Sequence, residues 1–155
     1  MDKKDGHIHT PYCPHGTKDK LEAYIEQAMK EEFNCITFTE HAPLPKTFTD
    51  PTPMKDSAMK LEDIEQYIRD IEALKVKYRN KITINIGLEV DYIQDYEAET
   101  KQFLNQYGKF LDDSILSVHF LKFNQSYYCM DYDEKTFGKM IDIAGSIQNL
   151  HLSYY

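Results

Sequence analysis

Thr83-Ile84-Asn85-Ile86-Gly87-Leu88-Glu89-Val90-Asp91 alternates and ends in two acidic residues. Successive side chains of a strand point to opposite faces, so Ile84, Ile86, Leu88 and Val90 share one face. Thr83, Asn85, Gly87, Glu89 and Asp91 share the other. The first face predicts contact with helices. The second carries a carboxylate close to the strand's C-terminal end. Three other stretches repeat the pattern. In a strand at about 35–40, Ile36 and Phe38 oppose Cys35, Thr37, Thr39 and His41. In one at about 114–121, Leu116, Val118 and Phe120 oppose Ile115, Ser117 and His119. In one at about 5–9, Ile8 opposes His7 and His9. Each strand therefore turns a His or Glu away from its apolar face, at or near the same end.

Helical stretches separate these strands. Helix one spans about 19–33, with Leu21, Ile25, Ala28, Met29 and Phe33 on one face and Asp19 and Glu22 as a capping pair. Helix two spans about 61–79, helix three about 96–111 and helix four about 134–151. Four strand–helix units predict an α/β fold with a parallel sheet or barrel. The expected order is 1-2-3-4, with right-handed crossovers and helices two and three on the outer side. In such folds, reactive groups gather at the C-terminal ends of the strands.

The 155 residues suffice for a single domain with a core, and a hydrophobic content of 41% separates the chain from disordered sequences. No apolar run approaches the length of a membrane span, and the start Met-Asp-Lys-Lys-Asp lacks the apolar stretch of a secretion signal. Cys13, Cys35 and Cys129 are isolated, which argues against a zinc ribbon or a disulfide framework and favours the reducing cytoplasm. A net charge of -8 disfavours nucleic acid as a partner. It leaves an anionic small molecule open, because bound cations can dominate the local field.

His7 and His9 project both imidazoles to one side of an extended strand, the beginning of a transition-metal site. His41, Glu89 and His119, on the same face and at the same end, extend it. Glu40 shares the face of Ile36 and Phe38, so it reads as a supporting group rather than a ligand. Asp91 points with Glu89, and an orienting role and none are equally open. Asp5 precedes the two histidines in the same alternation and is a candidate support for His7. His15 lies in a loop, where periodicity says nothing. Cys13 reads as a packed thiol and His151 as a packing or helix-end histidine. All six prolines fall in the first two connections between strand and helix, four of them in the long stretch 42–60, which is either a lid over the site or a plain surface connector.

The segments DGHIHTPYCPHG (5–16), ITFTEHAPLP (36–45), IGLEVDY (86–92) and ILSVHFL (115–121) together resemble the polymerase and histidinol phosphatase (PHP) family of metal-dependent phosphoesterases, in its histidinol-phosphate phosphatase branch. The resemblance implies a distorted (β/α)7 TIM-like barrel with a cluster of up to three divalent metals (Zn, Mn or Fe) at its C-terminal mouth. It implies that His7 and His9 bind a first metal, that Glu89 bridges it to a second held by His119, and that His15 and His41 bind a third. Glu89, His119 and His9 are then the catalytic set. The implied reaction is hydrolysis of L-histidinol phosphate to L-histidinol and phosphate by metal-activated hydroxide. Two alternatives stand beside it: another small phosphorylated metabolite as substrate, or an inactive metal-binding fragment.

The fragment alternative has a specific motive. The family draws further ligands from a later His and a later Asp-x-His, and this sequence contains neither. A full eight-stranded barrel takes roughly 250 residues. The expectation is therefore one PHP domain over 1–155, the N-terminal portion of a longer barrel. Strands one and four would be exposed edges that favour self-association, and the chain alone would have little or no activity.

Overall fold

The computed structural model describes residues 2–154. Strands β1 (Lys4–Ile8), β2 (Cys35–His41), β3 (Thr83–Asp91) and β4 (Asp113–Ser117) form one parallel sheet in the order β1-β2-β3-β4. Helices α1 (Leu21–Lys30), α2 (Ile64–Tyr78) and α3 (Glu97–Tyr107) make the crossovers. An antiparallel hairpin follows, β5 (Phe120–Phe123) with β6 (Ser126–Cys129), and then α4 (Glu134–Ala144) and α5 (Ile147–Leu152). The parallel α/β half-barrel expected from the strand patterns is present.

One face of β2 and β3 meets the helices as its alternation predicts. Ile36, Phe38, Ile84, Ile86, Leu88 and Val90 pack against Ile25 and Ala28 of α1 and against Ile64, Ile68, Ile71 and Leu74 of α2. Each such side chain, fully buried, stabilises the fold by about 1.5–3 kcal/mol. Tyr67 of α2 fixes the helix to the sheet. Its hydroxyl lies 2.9 Å from the Phe38 carbonyl and 2.8 Å from the Gly87 carbonyl, sharing its proton between adjacent strands. The opposite face is polar yet buried, with Thr37, Thr39, Glu89 and Asp91 all under 9% exposed. Gly87 is required there. A Cβ at this position would lie 2.7 Å from Thr39 Cγ2, 2.8 Å from Thr37 Cγ2 and 3.0 Å from the Phe38 carbonyl oxygen.

Several boundaries differ from the sequence expectation, each for a local reason. Helix α1 starts at Leu21 without a side-chain cap; Asp19 instead accepts from the Thr17 hydroxyl, and Glu22 pairs with Lys77. It ends when Glu32 takes φ 63°, and Phe33 N–H returns to the Ala28 carbonyl at 2.9 Å, a Schellman closure. Strand β1 carries a bulge: Asp5 pairs with Ile36 but Ile8 with Phe38. The Thr39 hydroxyl fills the gap, accepting from Ile8 N–H at 3.1 Å. Asp5 therefore leaves the alternation and accepts from the backbone N–H of His7, not from its ring.

The expected strand 114–121 is two elements. β4 stops at Ser117, and Phe120 and Leu121 belong to the hairpin, whose turn places Asn124 and Gln125 at φ 47° and 68°. Both central residues at positive φ give the turn that matches strand twist. Leu116, expected among the apolar contacts, is 74% exposed on the edge strand. The expected helix 134–151 breaks at Gly145, φ 82°, and restarts where the Ser146 side chain caps Asn149 N–H at 3.0 Å. Among the described residues no helix is long and apolar enough to cross a membrane.

Candidate metal centre

The parallel register sets the site. His41 and Glu89 are register partners at the ends of β2 and β3. The β1 bulge brings His7 and His9 to the same end, and the turn after β4 brings His119. Glu89 is the hub. Its Oε2 lies 2.9 Å from His7 Nε2, 3.4 Å from His9 Nε2 and 3.5 Å from His41 Nδ1, and its Oε1 lies 3.5 Å from His119 Nε2. The His7 and His9 Nε2 atoms are themselves 3.1 Å apart. The imidazoles of His9 and His41 approach to 4.5 Å between centroids, and those of His41 and His119 to 5.2 Å.

A ring of residues behind these groups aims them. Glu40, 0% exposed, accepts from His9 Nδ1 at 3.2 Å. Asp91 accepts from His119 Nδ1 at 2.8 Å and from the His119 backbone N–H at 3.0 Å. With Nδ1 of each ring donating outward, Nε2 is the atom left to face inward, the orientation found behind metal-bound histidines. The loop 10–16 folds tightly beneath. A Cβ at Gly16 would collide with the Thr10 carbonyl, so only glycine lets the loop return.

The charges follow from this crowding. Burial raises the Glu89 carboxyl, but bonds and charges from His9, His41, His7 and His119 outweigh it and hold it at about 2. The neighbouring Cys13 side chain, then Glu40 and Glu89, push His9 up to about 11. Burial lowers His41, and the adjacent His9 and His119 add to that against Glu89. The bond to Asp91 raises His119.

The donor set fits divalent metal. His41 Nδ1 is buried and has no hydrogen-bond partner among the described residues, although it faces an ionised carboxylate among three other imidazoles. Among the described residues, three groups have ligand atoms within 4.8 Å of one another: His7, His9 and Glu89; His41, His119 and Asp91, the last already bonded to the far side of the His119 ring; and His9, Cys13 and His41. His15 belongs to none of them. It stands edge-on to His41, ring centroids 5.5 Å apart, and its backbone N–H donates to Cys13 Sγ at 3.4 Å. Cys13 is 2% exposed, packed as read from the sequence, but it lies closer to the cluster than that reading implied.

A pocket of about 460 Å³ opens beside His41 and His119. The long β2–α2 connection contributes Thr52, Asp56 and Ser57, and the hairpin side contributes Phe120 and Asp131. The connection is thus part of the site wall, pinned by Asp50, which accepts from Thr52 N–H at 2.8 Å and Ser57 N–H at 3.1 Å. Asp131, 4.0 Å from His119 Nε2, was not visible in the strand patterns because the hairpin that carries it was not. The Asn124-Gln125 pair between two aromatic-rich runs was the available signal.

A family model for the PHP domain matches residues 5–152. The chain belongs to the PHP domain family. Its PHP domain is 57% identical to the histidinol-phosphatase of Bacillus subtilis strain 168 over 155 residues, all of this chain and 58% of that relative. It is 30% identical over 137 residues to a probable histidinol-phosphatase of Deinococcus radiodurans, covering 86% of this chain and 50% of the relative. The chain thus spans about half the length of these relatives. Among solved structures, a HisK chain of Listeria monocytogenes, assigned as a histidinol phosphatase, superposes with TM-score 0.91 at 34% identity, covering 98% of this chain and 58% of that one. A Lactococcus lactis histidinol phosphate phosphatase, complexed with zinc, L-histidinol and phosphate, shares the fold at TM-score 0.64 and 21% identity, covering 92% of this chain and 52% of that one.

Proposed function

We propose that this PHP domain is the metal-binding half of a phosphomonoesterase that hydrolyses L-histidinol phosphate to L-histidinol and phosphate. The observation that carries the reading is Glu89, one buried carboxylate whose two oxygens are shared among four imidazoles. His7, His9 and Glu89 would hold one divalent ion, and His119, with the other oxygen of Glu89, a second. His41 faces both and would serve a third, with His15 or Cys13 beside it. Zinc, manganese or iron suits imidazole and carboxylate donors. When bound, such ions activate water and neutralise phosphate oxygens.

The chain's own residues make that help necessary. The pocket is lined by Asp56, Asp91 and Asp131 and by no Lys or Arg among the described residues. An anionic phosphate there would be repelled without added cations. His119 and His41 face the pocket, so the phosphate end would lie on their side, while the rest of the substrate would lie along the wall of Thr52, Ser57 and Phe120.

The reading extends to the whole protein. The chain is the N-terminal portion of a longer barrel, and the β4 edge with exposed Leu116 is where the remainder docks, or where copies associate without it. It works in the cytoplasm on a small phosphorylated metabolite, with neither nucleic acid nor membrane as partner. The test is phosphate release from L-histidinol phosphate with Mn²⁺ or Zn²⁺, by this chain and by the chain joined to the downstream portion that its longer relatives carry. Metal-dependent release by the joined form, abolished by Glu89→Gln and near background for the chain alone, is expected. No release by the joined form, or release that ignores Glu89→Gln, overturns the reading.

A further inference from the structure

We infer that Glu40 is a positioning residue that locks the ring of His9, and that only a carboxylate can do so. The inference rests on the metal-centre reading above and goes beyond it by assigning a residue that touches neither metal nor substrate. Glu40 is 0% exposed at the end of β2, on the helix-facing side of the sheet. A buried carboxylate is costly unless it is fully paired, so its partners show what it does. Its Oε1 accepts from His9 Nδ1 at 3.2 Å and from the His41 backbone N–H at 3.1 Å. Its Oε2 accepts from the Thr10 backbone N–H at 2.8 Å and from the Thr10 hydroxyl. Four donors on two oxygens leave no acceptor position for solvent.

The consequence for His9 is specific. Nδ1 must carry the proton, so Nε2 is the atom left to face His7 and Glu89. The same carboxylate ties residues 9 and 10 after β1 to residue 41 at the end of β2, and thereby sets the distance between His9 and His41. Each oxygen of Glu40 faces a backbone N–H. A glutamine is the same size, but whichever way its amide turns, its NH2 meets a backbone donor. One buried N–H is then unpaired, or the amide swings away and releases His9.

Asp91 behind His119 supplies the internal contrast. Its three donors, Ser117 hydroxyl, His119 N–H and His119 Nδ1, all converge on Oδ1. Among the described residues Oδ2 takes no hydrogen bond. An asparagine can therefore keep its carbonyl oxygen on all three donors and place NH2 in the vacant position. Two carboxylates with the same apparent task should respond to very different degrees to the same chemical change.

The experiment compares Glu40→Gln, Asp91→Asn and Thr10→Val in the full chain with the unaltered protein. Zinc affinity is measured by chelator competition, and the His9 ring proton by NMR on histidine-labelled protein. The unaltered chain should show a slowly exchanging, downfield Nδ1 proton on His9, with or without zinc. Glu40→Gln should lose that resonance and weaken zinc by about 10–100-fold, the usual cost of removing an outer-shell partner of a metal-bound histidine. Asp91→Asn should weaken zinc by less than about threefold, because its acceptor oxygen survives. Thr10→Val keeps the carboxylate and removes one donor, so it should shift the His9 resonance even if Glu40→Gln fails to fold. A folded Glu40→Gln with unchanged zinc affinity and His9 resonance overturns the inference, as does a Thr10→Val spectrum identical to the unaltered one. Failure of zinc to bind the unaltered chain would instead remove the metal-centre reading, while the resonance would still decide the role of Glu40.

Discussion

The wall made by β1, β2 and β3 and the rim made by β4 and the β5–β6 hairpin supply opposite sides of one site, yet they are held differently. In the wall, Phe38, Ile86 and Leu88 are fully buried against α1 and α2, and the site face is filled as tightly as Gly87 requires. In the rim, Leu116 is 74% exposed, and the chain leaves the sheet after Ser117. His119 is placed there by two hydrogen bonds to Asp91, a residue of the wall. His119 is thus positioned by a polar group of the wall, although the hairpin has small cores of its own, Phe120 and Cys129 with Phe48 and Ile93, and Leu121 with Met140 and Leu150, whereas the wall side rests on the main core. A metal shared through Glu89 would join the two.

The largest expected effect tests the difference directly. Leu88→Ala opens a cavity in the wall and should cost about 2–5 kcal/mol in urea unfolding, whatever the state of the rim. A cost under about 1 kcal/mol would show that the wall can collapse around the change and is not the rigid side. Gly87→Ala follows. The added methyl meets Thr37, Thr39 and the Phe38 carbonyl, so a loss of about 1–3 kcal/mol is expected in the same assay, and a neutral result would mean the strands part without strain.

Next is pH. Metal-free His9, raised to about 11, contributes stability that is fully present below its ordinary value of 6.5 and is lost as pH climbs through 11. Zinc needs that nitrogen unprotonated and must displace the proton. Glu89, held at about 2, stays ionised throughout and contributes no slope above pH 5. Zinc affinity should thus rise by up to about tenfold per unit between pH 6 and 8.5, read as a growing zinc-induced shift in melting temperature. A flat profile would mean that the ion bypasses His9. The smallest effect belongs to the rim: Leu116→Ala should stay within about 0.5 kcal/mol in the isolated chain. A larger loss would reveal a covered β4 edge and weaken the contrast.

The same division explains what could be read from the sequence. Alternation in β2 and β3 is enforced by a core on one face, so Ile36, Phe38, Ile84, Ile86, Leu88 and Val90 announced both the fold and the side on which Glu89 lies. Glu40 falls on the wrong face for a ligand, which points to a supporting role, and its four hydrogen bonds give that role its physical content. Alternation misled in two places. At β1, the Thr39 hydroxyl replaces a ladder partner and admits a bulge, which period alone does not register. At 114–121 the pattern continues through a turn fixed by the side chain of Asp91, distant in sequence, so period alone shows neither the hairpin nor Asp131 beyond it. The Gly145-Ser146 pair, a helix stop followed by a cap, was legible but was overridden by the apolar period running across it. His15 had no periodicity to place it, and beside His41 the structure also brings Cys13.

The account turns on Glu89 as the group that gathers metal between wall and rim. The most direct test is zinc titration of the unaltered chain and of Glu89→Gln by isothermal calorimetry. The account predicts zinc binding to the unaltered chain with proton release, and a fall of more than about 100-fold in Glu89→Gln, beyond the loss typical of an outer-shell change. Equal zinc affinity in the two proteins would contradict it.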